Sequence, residues 1–551
     1  MKRTLFPLIF IFILVACTFK SPFPNGGDGL LQGYFPHSGT VTLTPFQPVI
    51  EQHTTTPEAT PAPTEELPHF LVGIYLPDYL PFTPQLPDNL TLVSSPETAE
   101  YGLEVGDDLP VTRWVYALVA PFPTLTDGIT LAEVKAAWNG NGPGLLMSGK
   151  TLGVFTAWWG TPASGAVQEV PEDQLVDAAW AQRDVWAFVP FEALNPRWKV
   201  LAVDGQSPLE KTFNLDTYPL TVPFSWVGEA VLQGLVPSTN RDPNKLTVVA
   251  MTGVTALVRA TAFTMEQQGI LYPARDIGDW LRNADITHIS NEVPFARDCP
   301  FPNPVQEGVV FCSDTRYLQL LENVGTDVVE LTGDHFHDWG AEAMLYTLGL
   351  YAEVGWPVYG GGATFELGKQ PAFLEDHGNR FAFIGCNGKG GSFSQASATS
   401  PGSVHCDFPW LEGEIAQLKA EGYIVIATFQ HFEYYSYDIP DTTKEDFRRL
   451  ARAGAVVVSG SQAHQPHGFE FVGDSSDTSL LHFGLGNLFF DQYGMSPATE
   501  QAFVDYHVFY DGQYLGTELL TMKFEDYARA RPMTVAERVD LLLATFGASG
   551  W

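Results

Sequence analysis

Residues Gly333-Asp334-His335-Phe336-His337-Asp338 put two imidazoles and two carboxylates directly after Thr326–Glu330, a β-branched run that reads as a strand. Imidazole beside carboxylate serves two kinds of chemistry: it can hold a divalent cation, or it can move a proton from a ring whose orientation the acid fixes. Other strand-like runs end on similar groups. After ITHI come Ser290, Asn291 and Glu292; after IVIATF come Gln430, His431, Phe432 and Glu433; after AVVVSG come Ser461, Gln462 and His464. Acids, amides and imidazoles delivered in order by four strand ends predict a shared rim, where α/β folds build their sites.

The elements that must position these groups follow from periodicity. From KLTVVAMTG (245–253) onward, strands alternate with helices: a helix over 265–284, strand ITHIS, helix TRYLQLLENVG, strand DVVELTG, helix AEAMLYTLGLYAEVG and strand FAFIG. PWLEGEIAQLKAEG follows, with Leu411, Ile415 and Leu418 on one helical face, then YIVIATF, AVVVSG and SLLHFGLGNLFF as further strands. Residues 69–240 also alternate strand-like and helix-like runs, so the fold class is α/β (α+β) in two domains, 69–240 and 245–530, with the loop VPSTNRDPN between them.

Charge and leader narrow the functional classes. With 29 basic against 64 acidic residues and a net charge of −35, binding driven by the charge of nucleic acid or an anionic bilayer is disfavoured. Residues 1–17, MKRTLFPLIFIFILVAC, read as an export signal whose end resembles a bacterial lipobox, making Cys17 a lipidation site; an ordinary signal peptide cut slightly later is the alternative. Residues 18–68, rich in Pro and Thr, read as an extended disordered tether. The expected location is therefore extracytoplasmic, with a lipid anchor in the membrane. Of the remaining cysteines, proximity favours the disulfides Cys299–Cys312 and Cys386–Cys406, and the other pairings stay open. Trp138, Trp158 and Trp159 could line a stacking cleft or pack in a core. Gly385-Cys386-Asn387-Gly388-Lys389-Gly390 has the wrong spacing for a Walker loop and reads as a loop beside a disulfide.

Several motifs carry a resemblance. DVVELTGDHFHDWG, ISNEVPF, AGAVVVSGSQAHQPHGFEF and LLHFGLGNLFFDQ are similar in order and pattern to the CapA family of poly-γ-glutamate capsule synthesis proteins, over residues 245–495. That resemblance implies layered β-sheets flanked by helices, as in calcineurin-like metallophosphoesterases. Residues 69–240 more weakly resemble type 2 periplasmic solute-binding proteins. The departures bear on chemistry. No aspartate lies between Thr252 and Arg259, where the family has Gly-Asp. Ser290 and Asp334 stand where the family has asparagines, and Gln430 takes a histidine position that His431 recovers only by a one-residue shift. Ser461 and Gln462 replace two more histidines, leaving His464.

A two-metal centre needs more charge and more imidazole than that set retains. Glu292, Asp334, His431 and His464 remain as candidate ligands for at most one divalent ion, Mn²⁺, Mg²⁺ or Ca²⁺, or for none. His335 is the candidate general acid, with Asp338 orienting its ring. Gln430, Gln462, Arg259 and Asn487 are candidate substrate contacts, and Arg275 could add positive charge to the cleft. The resemblance implies a role in synthesis, retention or export of a cell-surface polymer, with that polymer or capsule-synthesis membrane proteins as partners. A metallophosphoesterase-like hydrolase with a degenerate site and a solute-binding receptor are the alternatives.

Overall fold

The computed structural model describes residues 72–228, 234–474 and 477–551. Cys17, the leader and the 18–68 tether lie outside the described residues.

Two sheets face each other beneath the strand ends. The first runs Val358–Tyr359, Val328–Glu330, Ile286–Asn291, Leu246–Thr252, Gln501–Tyr510, Gln513–Glu525 and Arg529–Pro532 in spatial order. Its first four strands are parallel and its last three antiparallel. The second runs Ala372–Asp376, Asn379–Asn387, Ile424–Gln430, Val457–Ser459, Ser479–His482 and Phe469–Val472. Val249, Met251, Phe381, Phe383, Ile426 and Phe509 fill the space between them. Helices cover the outer faces, as parallel strands buried on both sides require. Helix Phe408–Ala420 buries Leu411, Ile415 and Leu418, the stripe its periodicity predicts. Helix Asp441–Ala453 beside it buries Thr443, Phe447, Leu450 and Ala451 and turns Glu445, Arg448 and Arg452 outward into ion pairs.

Two expected elements are broken. The helix read over 265–284 is two, Arg259–Gln268 and Gly278–Asn283. Gly269 ends the first in a left-handed conformation at φ +108°, and Pro273 follows in a 3₁₀ turn. SLLHFGLGNLFF divides into Ser479–His482 and Asn487–Phe489 because Gly486 turns the chain between them at φ +85°. Gly253 packs so tightly there that a Cβ would lie 1.8 Å from the Gly486 carbonyl oxygen.

A further ten-stranded sheet lies within residues 72–227, and its core takes in Leu246, Val248, Val508 and Leu515 of the first sheet. The described residues from Val72 to Trp551 accordingly form one compact unit. Trp138 is buried in that core and stacks edge-on with Trp159 at 5.6 Å, while Trp158 and Trp159 pack against the same cluster. These rings are packing rather than the lining of a cleft. Among the described residues no helix is long and apolar enough to cross a membrane. The disulfides are Cys299–Cys312 and Cys386–Cys406.

Candidate functional site

The parallel strands point their carboxyl ends the same way, so the residues that follow them meet. Glu292, just past Ile286–Asn291, is 1% exposed, and its Oε1 has no hydrogen-bond partner. Burial pushes its carboxyl above the ordinary glutamate value, against the pull of His464 and His335. Glu292, Asp334 and His335 each bring a ligand-capable atom within 4.8 Å of the others. Asp338 Oδ2 accepts from His335 Nδ1 at 2.7 Å and from the Phe311 N–H at 2.9 Å. Burial alone would strip the proton from His335; the Asp338 bond and the charges of Glu292 and Asp334 outweigh it and raise the imidazole to about 9. The helix beyond starts at Gly340 with no side-chain cap, so Asp334 is not a capping residue.

His464 reaches the same hollow from the second sheet. Asn487 Nδ2 donates to the carbonyls of His464 and Thr499, which turns its Oδ1 to the His464 ring at 2.8 Å from Nδ1. His464 Nδ1 thus donates to Asn487 Oδ1, and its Nε2 faces Glu292 Oε1 and Glu433 Oε1, each at 3.7 Å. Asn487 acts as a positioning residue rather than a substrate contact.

Lys389 is a member that sequence reasoning did not place at the rim, and Glu433, placed there by its strand end, was given no role. Lys389 follows strand Asn379–Asn387 in a loop held by Cys386–Cys406 and by the Gly388 N–H, which donates to the Gln430 carbonyl at 2.7 Å. Its Nζ lies 2.8 Å from Asp334 Oδ2 and makes a second ion pair with Glu433 Oε1. Burial opposes its charge, but the two carboxylates prevail and raise the ammonium above the ordinary lysine value. In turn, burial would raise both acids, yet Lys389, with His335 beside Asp334 and His464 beside Glu433, holds them below the usual carboxylate range. The one visible signal was place: GCNGKG leaves a strand whose neighbour, Ile424–Gln430, also ends at the rim.

Three expected contacts point elsewhere. His431 is not a candidate ligand: its Nε2 bonds Asp446 at 3.0 Å and its Nδ1 accepts from the Phe432 N–H at 2.8 Å, so both ring nitrogens are used. Arg259 is tied to Asp491 and lies against Phe311 and Phe490, behind the rings that flank His335 and His464. Arg275 lies over Tyr272 and bonds Asp276, which leaves it outside the cluster. Gln462 Nε2 donates to Ser290 Oγ at 2.7 Å, so these two departures from the family pattern satisfy each other. Ser461 donates to Glu330, a fully buried acid that also takes Thr332 Oγ1 at 2.5 Å and lies 3.3 Å from His288 Nε2. Burial would raise Glu330, but His288 and those hydroxyls hold it low. Where the family aspartate is missing, Val254 is buried with Val258, Val293, Phe311 and Phe490.

Whether a metal fits is decided by Gln430 and Lys389. Asn387 Oδ1 accepts from the Gly390 N–H at 2.8 Å and Asn387 Nδ2 donates to the Thr332 carbonyl at 2.8 Å. Its orientation is thereby fixed by backbone groups. Asn387 Nδ2 also donates to Gln430 Oε1 at 2.7 Å, which leaves the Gln430 N–H, not a lone pair, aimed at Asp334 Oδ1 at 2.6 Å. One carboxylate of the cluster thus meets an amide donor on one oxygen and an ammonium on the other. A two-ion centre does not fit these residues. Glu292, Asp334 and His335 converge as a set for one ion would, but Asp334 is already neutralised. A second acidic group, Asp285, Asp376 and His377, lies apart, with Asp285 taken by Lys211 and by the Val248 N–H at 2.9 Å.

Residues 224–492 match the family model of the bacterial capsule synthesis protein PGA_cap. The chain is 25% identical over 192 residues to the PGA biosynthesis protein CapA of Bacillus subtilis (strain 168), covering 35% of this chain and 49% of that protein. It is 22% identical over 289 residues to the capsule biosynthesis protein CapA of Bacillus anthracis, covering 52% and 68%. The chain thus spans about half of the first relative's length and about two thirds of the second's. Solved structures with similarity include a 5′-nucleotidase precursor from Thermus thermophilus, at 15% identity and TM-score 0.32 over 55% of this chain and 59% of that one. Another is the NAD nucleotidase NadN of Haemophilus influenzae, at 9% and 0.30 over 54% and 55%. An ABC-type phosphate transport receptor from Vibrio cholerae gives 12% and 0.21 over 23% and 66%. At such scores the strand order, not these likenesses, carries the fold.

Proposed function

We propose, from the match of residues 224–492 to the PGA_cap family model of bacterial capsule synthesis proteins, that the chain acts outside the cytoplasm in the synthesis, retention or export of a cell-surface polymer such as poly-γ-glutamate. It does so by binding the polymer, with no two-metal hydrolysis. The observation that carries this reading is the depleted rim: amide and hydroxyl side chains at Gln430, Ser461 and Gln462 are turned into internal hydrogen bonds, while His335 and Lys389 supply the positive charge. A carboxylate of the polymer would meet those two cations at short range, where they must offset the repulsion of a chain of net charge −35, and its amide groups would meet the surrounding acids. Tethering through Cys17 and association with capsule-synthesis membrane proteins belong to the same proposal; two disulfides suit an oxidising location.

Binding of poly-γ-glutamate oligomers to the full chain at low salt tests it. The expected result is saturable binding that weakens as salt rises and falls at least about tenfold in His335→Gln, the loss of one charge-assisted contact. No retention of polyglutamate or surface polysaccharide, with or without divalent ions, would end the proposal.

The His335–Asp338 pair beside Glu292 favours a second reading, a metal-dependent phosphoesterase working with few ligands. It predicts Mn²⁺-dependent turnover of a generic phosphodiester that disappears in both His335→Ala and Glu292→Ala. Absence of turnover across a broad phosphoester panel rules it out.

A further inference from the structure

We propose that Lys389 is the resident cation of this site, its ammonium standing where a divalent ion would otherwise bridge Asp334 and Glu433. Three observations carry the proposal. Nζ is bonded to one oxygen of each acid, from a side chain that is itself 26% exposed while Asp334 is 9% exposed. The loop that presents it is anchored on both sides, by the Cys386–Cys406 disulfide and by the Gly390 N–H on Asn387. The neighbouring amide has its donor rather than its acceptor turned to the acids, an orientation fixed through Asn387 by backbone groups. A divalent ion needs lone pairs on every side and charge left to neutralise. At Asp334 it would meet an N–H and a fixed positive charge instead.

The chemical consequence is specific. An ammonium polarises and binds anionic or carbonyl oxygen, but it does not acidify a bound water as a divalent ion does. The hollow is therefore a binding and proton-transfer site whose function is indifferent to chelators. The exchange is also reversible by substitution. Without the ammonium, Asp334, Glu433, Glu292 and His464 would become an acid-rich set with a free imidazole nitrogen, suited to a single hard ion.

Manganese is the probe, with neither polymer nor turnover involved, so the outcome is separable from the polymer-binding proposal. Titration calorimetry of the full-length wild type is expected to show no Mn²⁺ binding at this site, and 1 mM Mn²⁺ or EDTA should shift its melting temperature by less than about one degree, since an ion that does not bind the native state does not stabilise it. Lys389→Met should melt lower in EDTA and recover several degrees in Mn²⁺, with a calorimetric stoichiometry near one that a further Asp334→Asn change abolishes. Lys389→Arg, which keeps the charge, should behave as wild type. One Mn²⁺ bound per wild-type chain and lost in Asp334→Asn would overturn the proposal even if Lys389→Met failed to fold; so would a folded Lys389→Met with no gain in Mn²⁺ affinity.

Discussion

Lys389 and Lys199 are both withdrawn from solvent and both bonded to aspartate, yet their surroundings treat the charge in opposite ways. Lys389 lies between two carboxylates, Asp334 and Glu433, and its ammonium is stabilised. Lys199 bonds Asp127 at 2.7 Å and the Thr124 carbonyl at 2.6 Å, but Asp127 is shared with Arg538, which grips both of its oxygens at 2.7 and 2.8 Å. Burial dominates and Lys199 is pushed down to about 8, the pull of Asp127 and Glu518 notwithstanding. What separates the two is whether the acids bonded to the ammonium outweigh its burial: Asp334 and Glu433 do so at Lys389, while at Lys199 burial outweighs Asp127 and the more distant Glu518.

Replacement of each lysine should separate the two cases by sign. Lys389→Met is expected to lose about 3–4 kcal/mol in metal-free urea denaturation, the low end for a broken buried pair because the side chain is partly exposed. Loss of less than about 1 kcal/mol would place Lys389 among ordinary surface ion pairs.

Next in size is the clamp on the loop. Cys386→Ser with Cys406→Ser opens a disulfide spanning 20 residues; about 3 kcal/mol should be lost, and Mn²⁺ affinity should begin to appear as Lys389 is freed. Unchanged stability would mean that the loop is held by its hydrogen bonds alone.

His335 gives a pH test. Its folded value, about 9, lies above the ordinary histidine value, so its contribution to stability is full below about pH 6.5 and is lost as pH rises through 9. That contribution is at most about 3–4 kcal/mol. Asp338→Asn should bring the imidazole back toward about 6.5 in an NMR titration and flatten stability over that window. An imidazole still titrating near 9 in the variant would show that Glu292 and Asp334, not Asp338, hold the proton.

The smallest change is expected at the junction. Lys199→Met should alter stability at pH 7 by no more than about 1 kcal/mol, or raise it, since Asp127 keeps Arg538. The penalty of charging Lys199 is present below pH 8 and is relieved between pH 8 and the ordinary lysine value near 10.4, so any gain from the substitution should fade across that range.

Much of the site was legible because strand ends are legible. Glu292, Asp334, His335 and His464 follow β-branched runs, and parallel strands deliver whatever follows them to one edge. Gln430 closes its strand at the rim, whereas His431 turns back to Asp446. Lys389 was hidden for a physical reason. Its direction is set by a disulfide, by an asparagine bonded to backbone groups and by a neighbouring strand, none of which has a local pattern. Arg259, by contrast, looked available because a lone arginine after an apolar turn gives no hint of Asp491, far along the chain. The broken helix at Gly269 and the divided strand at Gly486 show the same limit. Hydrophobic periodicity continues through both, and only the left-handed turns end the elements.

The central claim is that an ammonium occupies the cation position between Asp334 and Glu433, and an anomalous-difference map from crystals of the full chain grown with Mn²⁺ tests it most directly. The account predicts no peak between those two acids in the wild type, with Lys389 bonded to both, and a peak there in Lys389→Met. A wild-type Mn²⁺ peak coordinated by Asp334, with Lys389 swung away, would contradict it.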